Sequence, residues 1–355
     1  MSTTHSQIKF QKIRDIGDNQ GKNSQVFVAR DLQMDTELFI KKVKKKELEK
    51  QGLNMGDYFL EARMLYEGKH PNIAEIQYAS EDVENIYLAM PIYDNGSLSS
   101  KLNDKYLTVR EIIKYSLEIL SGISYIHSKQ MVHLDIKPTN ILIDDTGRAR
   151  VTDFGLSRYL NEYGFAQQGI NYLYHREPEL YESIDRSIQS DIYQFGLLLY
   201  RMCNGNGILE EQIQEFNIAT PEELKKSILT GLFPNRNYYL PHIPTKLQQI
   251  IKKCISVDLG KRYTNTIDIM NDISDIKEHL DWRYNPYSNI IYENVMEDKK
   301  ITIEIEEHNN KYLIKCIKMG LNGNNPRRIK KHCHSNINEI NVALKIIEDI
   351  IKDIG

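Results

Sequence analysis

The fold of this chain is decided by two short stretches, HLDIKPTN at residues 133–140 and DFG at residues 153–155. The first stretch contains an acid that can accept a hydroxyl proton, a lysine that can neutralise phosphate and an amide that can bind a metal ion. The second adds a metal-binding acid on a turn that glycine makes flexible. Phosphoryl transfer from a metal-bound nucleotide needs these groups, because its transition state is stabilised mainly by positioning and charge.

In order and separation, the two motifs resemble those of the eukaryotic-type serine/threonine protein kinase family. The resemblance covers about residues 8–282. It implies an α+β, two-lobed protein kinase fold, with a β-rich N-lobe and a helical C-lobe. A small C-terminal α+β unit, which the resemblance does not cover, follows this fold.

The resemblance also assigns roles to the two motifs. Asp135 would accept the proton of the substrate hydroxyl, and Lys137 would contact the γ-phosphate. Asn140 and Asp153 would hold Mg²⁺, a hard ion that prefers oxygen ligands. A lysine two residues after the catalytic aspartate is typical of serine/threonine kinases rather than tyrosine kinases. The implied cofactors are ATP and Mg²⁺, with Mn²⁺ as a substitute ion.

One residue of the first motif departs from the family pattern. Leu134 stands where kinases that are switched on by a phosphate in the activation loop usually have arginine. Arginine can bind a phosphate through two parallel hydrogen bonds, whereas leucine cannot bind it at all. The sequence therefore predicts activity without phosphorylation of residues 153–179.

A basic strand is expected to supply the nucleotide lysine. In FIKKV at residues 39–43, Lys41 resembles the family lysine that contacts the α- and β-phosphates. Lys42 remains an alternative and would point to the opposite face of the strand; a solvated basic strand is the other interpretation. Phe39 replaces the usual alanine, so either the register of the strand or the shape of the adenine pocket differs from the family pattern. Glu61, on a predicted helix over residues 57–67, is the expected ion-pair partner of Lys41.

The loop before this strand resembles a glycine-rich phosphate-binding loop with two extra residues. Gly17 and Gly21 match its glycines, and Ser24 stands at the last glycine position. Small residues are needed there because backbone amides reach phosphate only where side chains permit a close approach. Val26 is expected to pack on the adenine.

Further residues of the nucleotide pocket follow from the same resemblance. Met90 would close the back of the adenine pocket, and the hinge beginning at Pro91 would follow it. Proline has no amide hydrogen, so Pro91 would offer its carbonyl, and Tyr93 would offer its amide. A strand end followed by a turn is the alternative interpretation.

Three structural roles are also implied. Glu179, in an EPE motif that replaces the usual APE, is expected to pair with Arg262. Asp191 is expected to cap the backbone of the catalytic loop. The substrate-docking segment at residues 169–176 is unlike the family pattern, so it gives no peptide preference.

The periodicity of apolar residues predicts the secondary structure. Strands are predicted at residues 8–16, 24–29, 37–43, 73–78 and 86–90. Further helices are predicted at residues 109–127, 191–202, 221–230, 247–255 and 267–280. In the C-terminal part, a hairpin is predicted at residues 301–316 and an amphipathic helix at residues 337–354.

These patterns predict four segments. They are an N-lobe at residues 8–92, a C-lobe at 93–282, a linker at 283–292 and a small α+β domain of unknown role at 293–355. The linker is expected because its composition is aromatic and polar and includes a proline.

Composition narrows the classes of function. The 355 residues are 41% hydrophobic and carry a formal charge of −3, which gives no whole-protein reason to expect nucleic-acid or membrane binding. The start has no apolar segment like that of a signal peptide. The four cysteines are scattered, as expected for reduced thiols in the cytoplasm. Export without a cleavable signal is also compatible with this composition.

Two local clusters have simpler interpretations than a ligand site. Adjacent residues such as His332, Cys333 and His334 rarely converge on one metal ion. The basic run at residues 327–331 has no interleaved aromatic residues, so a solvated surface is favoured over a nucleic-acid site.

The sequence favours a protein substrate, is compatible with autophosphorylation and does not indicate an oligomeric state. Two other functions stay open. The chain could be a pseudokinase that acts as a binding or scaffold module, as its irregular phosphate loop suggests. It could also be a phosphotransferase of the same fold with a substrate that is not a protein.

Overall fold

The computed structural model describes residues 8–16, 24–50, 59, 66, 69–167, 173–286 and 290–354. The chain divides into two compact units. One consists of Met1–Gly96 with Leu142–Ser157, and the other of Ser97–Ile141 with Arg158–Gly355. The first unit therefore extends past the predicted N-lobe boundary at residue 92 and also takes in the DFG segment. The division leaves the C-terminal residues in the same unit as the helical part.

The first unit is built on an antiparallel sheet with the strand order β1-β2-β3-β5-β4. Its strands are β1 Phe10–Asp15, β2 Ser24–Asp31, β3 Thr36–Lys44, β4 Tyr78–Glu81 and β5 Asn85–Met90, and the short helix α1 Lys45–Lys50 follows β3. The predicted strand at 73–78 is wrong, because the backbone there bonds elsewhere. Ile73 forms a single bridge with Val151, and the sheet strand begins only at Tyr78.

Alternating side chains give this sheet two apolar faces. One face buries Phe27, Ala29, Leu38, Ile40 and Ala89. The opposite face buries Val43, Ile76, Ile86, Leu88 and Met90, with Phe39 packed against them. Most of the helix predicted at residues 57–67 lies outside the described residues.

The second unit begins with helices, as predicted. They are α2 Leu98–Asp104, α3 Val109–Ser128, α4 Ile188–Asn204, α5 Ile208–Glu215, α6 Pro221–Leu229, α7 Thr245–Cys254 and α8 Thr266–Ser274. Helix α8 ends six residues earlier than predicted. The amide of Ile276 bonds to the carbonyl of Ile273 in a tight turn, and His279 has φ 56°, which an α-helix does not accommodate.

The segments between these helices contain short strands that pair two by two. The strands are β6 Met131–Val132, β7 Ile141–Ile143, β8 Ala149–Val151, β9 Arg158–Tyr159, β10 Ala166–Gln167 and β11 Asp185–Arg186. Strand β6 pairs with β9, β7 with β8, and β10 with β11. The HLDIKPTN motif at residues 133–140 therefore lies in a loop with a short strand at each end.

The C-terminal part forms a second antiparallel sheet, which we call the appended sheet. Its strands are β12 Trp282–Asn285, β13 Ile290–Val295, β14 Lys299–His308, β15 Lys311–Gly320, β16 Arg327–Arg328 and β17 His334–Ile337, and helix α9 Ile340–Ile354 packs on it. The predicted hairpin is confirmed, and the predicted terminal helix is confirmed except for its start, because Ile337 belongs to β17 and the helix begins at Ile340. The turn between β14 and β15 uses Asn309 and Asn310, both at positive φ.

The predicted linker at 283–292 needs correction, because most of it belongs to the appended sheet. Strand β12 pairs with β13, with Trp282 opposite Asn294 and Tyr284 opposite Tyr292. Trp282 and Tyr292 are fully buried in the core of this sheet. Of the aromatic residues that suggested a loop, Tyr284 of β12 and Tyr292 of β13 face this core.

The appended sheet also contacts the helical part through aromatic rings. The Tyr284 ring lies 4.8 Å from that of Tyr106, between α2 and α3, and 5.2 Å from Tyr292. The Tyr292 ring lies 5.9 Å from the ring of His242, which precedes α7.

None of the described helices combines the length and apolar character needed to cross a bilayer.

Candidate active site

The HLDIKPTN loop brings three of its predicted functional side chains together. The Lys137 ammonium donates to both carboxylate oxygens of Asp135, at 3.0 and 2.8 Å. The Asn140 amide donates to Oδ2 and to the backbone carbonyl of Asp135, both at 2.8 Å. Asp135 is 8% exposed. A carboxylate held by these donors has a fixed orientation and can accept one further hydrogen bond or a proton.

Helix α4 anchors this loop through a buried aspartate. Asp191 accepts hydrogen bonds from the backbone amides of His133 and Leu134, both at 2.8 Å. Its Oδ2 also lies 2.8 Å from Nε2 of His127. The predicted capping role of Asp191 is thereby confirmed.

A second anchor on α4 was not predicted from the sequence. Gln194 accepts from the Ile136 amide at 2.8 Å and donates to the Leu134 carbonyl at 3.1 Å. Leu134 is buried and has φ 64°, an uncommon backbone conformation for a branched side chain. The available signal was a glutamine inside an otherwise apolar run of a long helix.

His175 holds the same loop from the docking segment. It is buried, and its Nδ1 lies 3.2 Å from the Ile136 carbonyl oxygen. Arg201 donates to its Nε2 at 3.1 Å, so the network assigns the proton to Nδ1. Burial, together with the charges of Arg201 and Lys137, lowers the pKa of His175 to about 3. His175 is therefore neutral at physiological pH and keeps this tautomer.

The glutamate that replaces the usual alanine before Pro178 is paired inside the protein. Glu177 and Arg186 are both buried and form an ion pair of 2.8 Å. Gln194 donates to Glu177 at 3.4 Å, which connects this pair to the loop anchor. Burial raises the pKa of Glu177 to about 7, although the Arg186 charge acts in the opposite direction.

The predicted pair between Glu179 and Arg262 is confirmed. Two parallel hydrogen bonds of 2.8 and 3.1 Å join the guanidinium to the carboxylate. Arg262 also donates to the backbone carbonyls of Gln189 and Ser256. This pair ties the segment after the docking residues to α4.

In the first unit, the strand lysine and the DFG aspartate are in contact. Lys41 is buried in β3, and its ammonium lies 2.5 Å from Oδ1 of Asp153. Lys42 points to the other face, where its ammonium lies 5.9 Å from the centre of the Tyr87 ring. A Cβ at Gly155 would lie 3.3 Å from Asp153 Oδ1, so the glycine leaves room for this contact.

The other predicted nucleotide residues are described only in part. Val26 is half-buried and pairs with Lys41 across two strands. Met90 is buried, with the Thr152 hydroxyl donating to its sulfur at 3.9 Å. Pro91 and Tyr93 are half-buried, and the Tyr93 hydroxyl accepts from the Glu75 amide. The predictions for Gly17, Gly21, Glu61 and the Ser24 side chain fall outside the described residues.

The predicted metal ligands have suitable chemistry. Asn140 and Asp153 offer amide and carboxylate oxygens, the donor type that Mg²⁺ prefers. Across the described ranges, no three His, Cys, Asp or Glu side chains gather as a metal cluster. His332 is one of the three adjacent residues considered above as metal ligands. Its Nε2 lies 3.1 Å from Oδ2 of Asp353.

Comparisons with known proteins agree with this geometry. Residues 10–280 match the protein kinase domain family, so the chain belongs to this family. A probable CTD kinase subunit alpha homolog of Encephalitozoon cuniculi is 31% identical over 70% of this chain and 76% of its own length. The probable serine/threonine-protein kinase PknB of Lactococcus lactis is 27% identical over 75% of this chain. The serine/threonine-protein kinase PrkC of Bacillus subtilis is 26% identical over 75% of it.

The two bacterial relatives are much longer than the matched region. The alignment covers 42% of PknB and 40% of PrkC. The family match of this chain ends at residue 280, just before the appended sheet begins.

Proposed function

We propose that this protein transfers the γ-phosphate of ATP to a serine or threonine hydroxyl of a protein substrate. The observation that carries the proposal is the arrangement of Asp135, Lys137 and Asn140 in one loop, with the lysine and the amide on the aspartate carboxylate. Membership of the protein kinase family and the names of the relatives support the choice of reaction. Four free cysteines fit the cytoplasmic location expected from the sequence.

In the proposed mechanism, Asp135 orients the acceptor hydroxyl and takes its proton as the oxygen attacks phosphorus. Lys137 offsets the negative charge that develops on the transferred group. Its ammonium is already held 2.8 Å from Asp135, so the two roles are performed side by side.

Lys41 and Asp153 serve the nucleotide in the same proposal. Lys41 would bind its α- and β-phosphates, while Asp153 and Asn140 would hold Mg²⁺. When bound, the ion neutralises phosphate charge and orients the leaving group. The 2.5 Å contact between Lys41 and Asp153 supports a shared task for these two side chains.

The first test compares label transfer from radiolabelled ATP to a generic protein acceptor. We expect Asp135→Ala and Asp153→Ala to lose activity by at least about a hundredfold, because each removes a group needed in the transition state. Asp145→Ala, at an exposed aspartate, is the matched control and should keep activity. EDTA should stop the reaction, and added Mg²⁺ should restore it.

Equal labelling by the wild type and both aspartate variants would contradict the proposal. An absence of transfer by the wild type, together with normal ATP binding, would favour the pseudokinase alternative. Transfer to a small molecule or a nucleic acid but not to proteins would favour the other phosphotransferase alternative.

We further propose that activity does not depend on phosphorylation of residues 153–179. Leu134 is buried, and its backbone is held by Asp191 and Gln194 from both sides. These contacts support a catalytic loop that is fixed from within the protein rather than by an arginine bound to a phosphate. We expect phosphatase-treated protein, verified by mass spectrometry, to retain its rate of label transfer. An inactive dephosphorylated enzyme that recovers when the loop is phosphorylated would contradict this.

A further inference from the structure

Arg176 lies in a fixed position beside the catalytic loop. The residues on both sides of it are buried and point inward: His175 contacts the Ile136 carbonyl, and Glu177 accepts from Gln194. Ile136 is the residue next to Asp135. Glu177 has an extended backbone, in which successive side chains point in opposite directions. Arg176 is half-buried and is therefore the residue of this trio that faces outward.

A second cation lies near the same aromatic ring as Arg176. The Arg176 guanidinium lies 6.0 Å from the centre of the Tyr181 ring, and the Lys225 ammonium lies 5.6 Å from it. Lys225 is exposed and belongs to α6. The aromatic ring thus brings together two positive charges that are far apart in the sequence.

In the part of the chain that the structure describes, no carboxylate forms an ion pair with Arg176 or Lys225, and Nε of Arg176 has no hydrogen-bond partner. Two like charges near one ring repel each other, and an anion bound by both would relieve that repulsion. A guanidinium fork is well suited to bind a carboxylate.

We propose that Arg176 and Lys225 form a recognition site for an acidic side chain of the protein substrate, close in sequence to the hydroxyl that is phosphorylated. The inference rests on the proposed kinase function, because it takes Asp135 to be the residue that receives the hydroxyl. The site selects peptides by charge, and Tyr181 spaces its two cations.

The test measures kcat/KM for short serine peptides that differ in one residue. Glutamate, glutamine or lysine is placed at each position from three before to three after the serine. We expect the full-length protein to prefer glutamate over glutamine by about five- to tenfold at one or two adjacent positions, mainly through KM. Arg176→Gln and Lys225→Gln should each lower this ratio by about threefold.

Charge reversal provides the sharper outcome. Arg176→Glu should invert the preference at the same positions, so that the lysine peptide becomes the better substrate, which a merely unfolded variant cannot do. Lys226→Gln, on the same helix but without the Tyr181 contact, is the matched control and should leave the ratio unchanged. Equal use of the acidic and neutral peptides by the wild type would overturn the recognition site while leaving the kinase function intact.

Direct binding separates this inference from the catalytic proposal. Fluorescence anisotropy with a labelled glutamate peptide should show weaker binding to Arg176→Gln than to wild type, whether or not phosphate is transferred. Equal binding by the two proteins would refute the site even in an inactive protein. An acidic preference that appears only after phosphatase treatment would show that the two cations hold a phosphate of the chain itself, and would also refute it.

Discussion

At the scale of single residues, the catalytic loop owes its shape to polar side chains buried behind it. Leu134 adopts a backbone conformation that is unfavourable for its side chain, and two side chains of α4 hold it there. Asp191 binds amides, whereas Gln194 binds one amide and one carbonyl. Since buried backbone groups are costly to leave unpaired, these contacts fix the orientation of Asp135.

Replacing Gln194 with alanine tests this role. The change leaves the Ile136 amide and the Leu134 carbonyl without these partners, which should cost about 1–3 kcal/mol of unfolding free energy. The displaced loop should lower kcat by roughly tenfold to a hundredfold with little change in the KM for ATP. Steady-state kinetics and urea unfolding measure the two effects.

The control is Gln189→Ala on the same helix. Gln189 also donates to two backbone carbonyls, those of Leu259 and Tyr263, but far along the chain from the catalytic loop. We expect it to lose stability while kcat is maintained. A similar fall in kcat for both variants would mean that Gln194 has only a structural role.

The sequence indicated the residues whose signal is local. Asp135, Asn140 and Asp153 stand in short motifs, so their spacing alone suggested a shared chemistry. His175 and Gln194 contact a loop that lies about 40 to 60 residues away in the chain, at separations of 39 and 58. Such partners are defined by the packing of helices, which no short spacing reveals. Glu177 was visible as an unusual residue, but its partner Arg186 was not.

At the scale of elements, strand β3 turns two adjacent lysines to opposite faces of the sheet. Its apolar face contains Phe39 and Val43, and Lys41 lies between them opposite Leu88 of β5. Lys42 faces the other way, opposite Tyr87. The period of two in a strand therefore gives the two lysines different surroundings.

This difference predicts opposite results for two matched substitutions. We expect Lys41→Met to lower label transfer by at least about a hundredfold, because it removes the charge next to Asp153. Lys42→Met should retain most of the activity, since only a contact with the Tyr87 ring is lost. Melting temperatures of both variants check that folding is preserved. Inactivity of Lys42→Met with full activity of Lys41→Met would reverse the assignment.

Element positions were predicted better than element boundaries. The long helices were evident because apolar residues recur every three or four positions over many turns. The end of α8 was placed too late, because residues 275–280 continue that spacing while the backbone turns away. Strand β12 was missed because proline and aromatic residues resembled a loop. The available signal was the pair Trp282 and Tyr284, because large side chains two residues apart lie on the same face of a strand.

At the scale of the whole molecule, the contact between the helical part and the appended sheet contains a buried histidine. His242 is 1% exposed and faces the Leu107 backbone, the Tyr292 ring and His279, whose Nδ1 lies 3.2 Å from the His242 carbonyl. Burial, with a contribution from His279, lowers the pKa of His242 to about 3. This contact therefore requires the neutral imidazole.

The sign of the pH dependence follows from that shift. Because the pKa of His242 is lower in the folded than in the unfolded protein, its contribution to stability is complete above about pH 6.5 and declines as the pH falls towards 3. When the pH is lowered from 7 to 5, we expect the unfolding free energy of wild type to fall by about 2 kcal/mol more than that of His242→Phe. Urea unfolding at both values measures this. His308→Phe, at an exposed histidine, should behave like wild type.

The contacts among the rings of Tyr106, Tyr284, Tyr292 and His242 affect how the molecule responds to a ligand of the appended sheet. They join the appended sheet to the helical part without a spacer, because β12 starts one residue after the ion pair between Arg110 and Asp281. A molecule that binds only the folded form of the sheet would therefore also shift the melting of the helices, by mass action through shared contacts. A thermal-shift screen on the intact chain would thus detect ligands of the C-terminal sheet and of the nucleotide pocket alike, and competition with ATP would tell them apart.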